Sequence, residues 1–149
     1  MENNKGKSMQ FDQNNPVIKL CSEGMEMEGK AKPEEAKRLF ELAWSKSKTD
    51  FDKFTSAHYV ARQQKTIEDK LKWDEIALEH ALKLNDENIK GSLPSLYLNI
   101  GKGYEDLKKK GKAIENYNLA LKYSDALPNN DYGDMIRNGI RNGIARLQS

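Results

Sequence analysis

Tyr97-Leu98-Asn99-Ile100-Gly101-Lys102-Gly103-Tyr104, followed by Ala113, Tyr117 and Ala120, is the stretch whose reading decides the fold. Tyr97, Gly101 and Tyr104 fall at intervals of four and three, one stripe of a helix, and Ala113, Tyr117 and Ala120 repeat that interval on a second helix. The same set stands earlier in the chain. Leu20, Gly24, Met27, Ala36, Phe40 and Ala43 each precede their counterpart by 77 residues and keep its size class. A spacing near two units of about 34 residues, plus a small insertion, is the mark of stacked helical hairpins. A middle unit is therefore expected over about 54–84, with Ala57, Val60 and Ala61 on its first helix and either Ala77 or Ala81 as the small residue on its second.

Helical periodicity extends the reading outward from these units. Helices are expected over about 17–28, 33–46, 50–64, 66–84, 95–109 and 112–127, with Pro33 in a first turn, Asp50 or Asp52 as a cap and Thr66 opening a loose capping box. No stretch alternates as a half-buried strand does. The last segment poses a choice. Asn138-Gly139 and Asn142-Gly143 are hairpin signals in isolation, but Ile136, Ile140, Ile144 and Leu147 recur at four, four and three. A cap helix over about 134–147, N-capped by Asp134, accounts for that stripe. Each glycine in it costs about 1 kcal/mol against alanine, so close packing is expected to offset it. The domains expected are thus an N-terminal segment, 1–15, with too little to bury to order itself, and one all-α domain over 16–149.

Composition excludes several classes of function. The 149 residues suit a single domain, and basic and acidic residues nearly cancel at a formal charge of +2. A dedicated nucleic-acid binder concentrates its basic residues, whereas Lys108, Lys109, Lys110 and Lys112 make a short run read as a solvated turn. No apolar segment is long enough to span a bilayer, and the opening stretch has no signal-peptide core. The lone Cys21 has no internal disulfide partner, which suits a reducing, cytoplasmic location. Catalysis finds no constellation. His58 and His80 are isolated, Cys21, His58 and His80 lack metal-ligand spacing, and Gly101-Lys102-Gly103 lies inside a helix rather than in a phosphate loop after a strand. No enzyme activity, metal or cofactor is expected.

The segment from Tyr97 to Ala120 resembles the signature of the tetratricopeptide repeat family. The first unit, Leu20 to Ala43, resembles it more weakly, with Met27 in the usual aromatic place. The resemblance implies an α-α superhelix of about three helical hairpins plus the capping helix, with a concave groove that binds a protein or peptide. Carried over by position, the groove residues are Cys21 and Met25, His58 and Arg62, and Leu98 and Lys102, with Asn99 nearby. Arg62 and Lys102 would suit a carboxylate or phosphate on the ligand, or would instead pair with Glu28, Glu105 or Asp106. Cys21, Met25 and Leu98 replace polar groups that the family's clamp for acidic tails uses, so a mixed apolar and basic groove for an amphipathic segment is expected. Homo-oligomeric assembly is the alternative function, and an accessory role with RNA or DNA a further one.

Overall fold

The computed structural model describes residues 14–148, and among them there is no strand. Eight α-helices follow in order: α1 Pro16–Gly29, α2 Pro33–Lys46, α3 Asp50–Arg62, α4 Ile67–Leu82, α5 Glu87–Lys90, α6 Leu93–Asp106, α7 Lys110–Lys122 and α8 Asp131–Gln148, with one 3-10 turn, Ser124–Ala126, before the last. The expected all-α class holds. Of the N-terminal segment expected to lack order, residues 1–13 lie outside the described residues, as does Ser149. Asn15 is ordered: its side chain caps α1 by accepting from Val17 N at 2.9 Å and donates to Asp52 at 2.9 Å.

The 77-residue spacing is exact in the backbone. Both ends of α1 and α6 differ by it, as do the starts of α2 and α7. The turns between these helices match atom for atom. Lys32 N donates to Met27 O and Lys109 N to Tyr104 O, each at 2.9 Å, while Ala31 N donates to Glu28 O and Lys108 N to Glu105 O, each at 3.0 Å. This double bond is the Schellman ending, which needs a left-handed residue after the helix. Ala31 and Lys108 supply it with φ of 58° and 63°.

Helix pairs α1–α2, α3–α4 and α6–α7 form three hairpins, and α2 packs on α3, α4 on α6 and α7 on α8. Small residues set the closeness within a hairpin. A Cβ on Gly24 would overlap the Phe40 ring, and one on Gly101 would lie 2.7 Å from Tyr117 Cδ1. Phe40 and Tyr117 are fully buried in consequence, each contributing about 2–3 kcal/mol through burial. The middle hairpin resolves its register by helix position. Ala43, Ala77 and Ala120 are each the eleventh residue of their helix and all are fully buried, so Ala77 rather than Ala81 is the counterpart. At the eighth position, where the other hairpins place Phe40 and Tyr117, the middle one has Asp74. Its carboxylate is buried and takes the Lys70 ammonium at 2.8 Å, one helical turn away.

Several boundaries differ from expectation for local reasons. Thr49, not Asp50 or Asp52, caps α3 by accepting from Asp52 N at 3.1 Å. Asp52 instead turns inward to Asn15 and to Lys48 N. The cap helix starts three residues early, because Asn130 rather than Asp134 accepts from Gly133 N at 2.9 Å. The insertion between the second and third hairpins is α5. Finally, α8 stands to the third hairpin as α3 stands to the first. Arg62 of α3 pairs with Glu28 at 2.8 Å, and Arg146 of α8 pairs with Glu105, the residue 77 positions on, at 2.9 Å. Tyr59 stacks on Phe40 at 5.2 Å between centroids, and Gly143 packs on Tyr117 in the same way, its Cβ position 2.6 Å from Cζ. Tyr117 is therefore held between two glycines.

Candidate functional site

A groove of about 490 Å³ opens along the first helices of the hairpins. From α1 it takes Ile18, Cys21, Ser22 and Met25, and from α3 Phe51, Phe54, Thr55, His58 and Tyr59. Both sets follow the three-and-four spacing that puts a helical stripe on one side. The far wall is built by Asn88 and Ile89 of α5, then Ser92, Ser95 and Leu96 at the start of α6, and Tyr132 of α8 closes the end. The bond from Asn15 to Asp52 ties the start of α1 to the start of α3. No Lys, Arg, Asp or Glu of the described residues lines the groove. Its rim is apolar and open: Met25 is 39 % exposed and Tyr132 47 %.

Three of the seven residues assigned from sequence meet in this groove: Cys21, Met25 and His58. The other four do not line it. Arg62 reaches back to Glu28 and lies over the Tyr59 ring at 5.4 Å, while Gln63 holds the other oxygen of Glu28. Lys102 pairs along its own helix with Asp106 at 2.9 Å. Leu98 is packed beneath α8, where a Cβ at Gly139 would sit 3.0 Å from its Cδ2. Asn99 is half-buried on α6. Glu105, the other acid considered for these cations, is taken by Arg146 and by the Tyr117 hydroxyl at 2.6 Å. The expected basic half of the groove is thus absent from its walls, because each cation has a nearer carboxylate.

Chemically the walls are quiet. Burial, and then Asp52, push the Cys21 thiol up to about 12, so it stays protonated at neutral pH. Burial likewise depresses His58 to about 4, with Arg62 and Lys70 adding to the effect, so the imidazole is neutral at neutral pH. Its Nδ1 is buried without a hydrogen-bond partner, an arrangement that costs the folded chain about 1–3 kcal/mol. Among the described residues no group of three or more His, Cys, Asp or Glu side chains could hold a metal ion. His80 lies elsewhere, bonded to Asp50 at 2.8 Å and edge-on to Trp44, which in turn meets Trp73 at 5.0 Å. These three rings fill the space between the first two hairpins.

Sequence reasoning missed Ser22, Thr55, Phe51 and Phe54, although stepping back one turn from Met25 reaches Ser22, one turn from His58 reaches Thr55 and Phe54, and two turns reach Phe51. For α5, Ser92, Ser95 and Tyr132 there was no such signal, since they arrive from the insertion and from the cap helix. In comparisons with protein-family models, with curated proteins and with solved structures, the chain matches none. No helix among the described residues is long and apolar enough to cross a membrane.

Proposed function

We propose that this protein is a non-catalytic docking module of tetratricopeptide type, which holds a segment of a partner protein in the groove between α1, α3 and α6. The observation that carries this reading is an open groove of about 490 Å³ with an exposed methionine and tyrosine rim. Grooves of roughly 300–1,000 Å³ with mostly apolar walls and a few neutral polar groups are the usual form of binding sites. Exposed methionine adapts to irregular partner surfaces. A thiol that stays protonated and a neutral histidine without an acid or base beside it favour docking over chemistry. The lone cysteine suits a cytoplasmic setting.

Assembly through an exposed stack face is the weaker alternative. The outward side of α8 presents Asp134, Asn138, Arg141 and Asn142 to solvent, the polar surface that ends a helical stack rather than extending it. The test is a displayed peptide library selected on the wild-type protein and counter-selected on Thr55→Arg, which places a long cation in the groove. Peptides should enrich on the wild type and lose binding to Thr55→Arg at unchanged circular dichroism. Arg62→Glu should retain them. Failure to enrich any sequence, or equal capture by Thr55→Arg, refutes docking at this groove.

A further inference from the structure

We infer that the groove takes an apolar protein segment bearing no ionised side chain at its anchor points, rather than an acidic tail. The inference rests on the docking reading above and narrows it. An ionised group entering the groove would leave water for walls that offer aliphatic, aromatic, thiol, thioether, hydroxyl and amide groups and one neutral imidazole, with no ionised side chain among them. Such a transfer is unfavourable unless an opposite charge waits inside. None does. Arg62 and Lys70, the cations whose charge acts on His58, are engaged by Glu28 and Asp74, and withdrawing Lys70 to serve a ligand would strand the buried Asp74 carboxylate.

The rim points the same way. Met25 and Tyr132 expose apolar surface around a cleft whose buried lining includes Phe51, Ile89 and Leu96, so a partner gains most by burying apolar side chains there. Ser22, Thr55, Ser92 and Ser95 are neutral and can serve a peptide's backbone groups without demanding charge.

Two probes differing by one charge test this. N-phenyl-1-naphthylamine is uncharged, and 8-anilinonaphthalene-1-sulfonate is the same ring system with a sulfonate. Fluorescence titration of the folded protein should show the neutral dye binding at least tenfold more tightly, and Ser22→Arg with Ser95→Arg should abolish its binding without altering the melting curve. Equal or tighter binding of the sulfonate overturns the inference. The peptide library separates this from the docking reading itself. Enriched peptides with Asp or Glu at their shared anchor positions sink the inference but leave docking intact, whereas no enrichment removes docking. Enriched peptides whose anchors are Leu, Met, Ile or Phe support both.

Discussion

Replacing Gly143 by alanine sets two physical terms against each other. Helix propensity alone favours alanine by about 1 kcal/mol in the interior of α8. Packing opposes it. The new Cβ would stand 2.6 Å from Tyr117 Cζ and 2.8 Å from both Cε atoms, against an ordinary contact of about 3.5–4.0 Å, so α8 or the ring must move by about 1 Å. The ring has little room, because Gly101 of α6 already abuts it at Cδ1 and Cε1 and Glu105 accepts from its hydroxyl at 2.6 Å. Overpacking costs about 1–3 kcal/mol, and a 2.6 Å contact on a pinned ring belongs to the upper part of that range, about 2–3 kcal/mol, which leaves a net loss of about 1–2 kcal/mol after the propensity gain. For a chain of this length that lowers Tm by roughly 2–8 °C. Gly29→Ala is the control, since its Cβ meets nothing within 4 Å and the substitution should be neutral or mildly stabilising. Thermal and urea denaturation followed by circular dichroism decide the matter. A Gly143→Ala protein as stable as the wild type, or more so, would refute the claim that this glycine exists to let α8 close on Tyr117.

Ala31→Gly and Lys108→Gly should each stabilise by about 0.5–1 kcal/mol, because the left-handed conformation costs an alanine or lysine about 1–2 kcal/mol and glycine's larger unfolded-state entropy returns only part of that. Calorimetric melting of the single and double variants checks both the sign and their additivity. For pH, the folded-state pKa of His58 lies near 4, below its usual value of 6.5. The unfolded chain therefore binds the extra proton first, and stability present above about pH 6.5 is lost as pH falls toward 4. His58→Phe should flatten urea midpoints across that window. Glu105 is held at about 2 against a usual 4.5, chiefly by its hydrogen bonds from Arg146 and then by that from Tyr117. Its contribution is present above about pH 4.5 and fades below it, so Glu105→Gln should be less stable at neutral pH and lose less on acidification between 4.5 and 2, measured by the same titration.

The middle hairpin shows where reading from sequence reached its limit. Its first helix was legible in Ala57, Val60 and Ala61, but Lys70 and Asp74 stand where the neighbouring hairpins have alanine and an aromatic ring. A polar pair in a core position erases the size pattern that fixes register, so only the packed helices distinguish Ala77 from Ala81. The groove was half legible for a related reason. Cys21, Met25 and His58 lie on stripes that one helix defines by itself. The fate of Arg62, Leu98 and Lys102 was set by residues distant in the chain or by a choice of rotamer.

What the sequence alone determined is the succession of helices and their kinship: 77-residue spacing, the size classes kept at each matched position, and a terminal helix rather than a hairpin. These follow from local periodicity and side-chain volume, which act within a few turns of chain. Tertiary structure alone decided which charges are already matched, that α5 and Tyr132 close the groove, and that its walls are neutral. Those outcomes depend on distances between helices, and a linear pattern of residues carries no such distance.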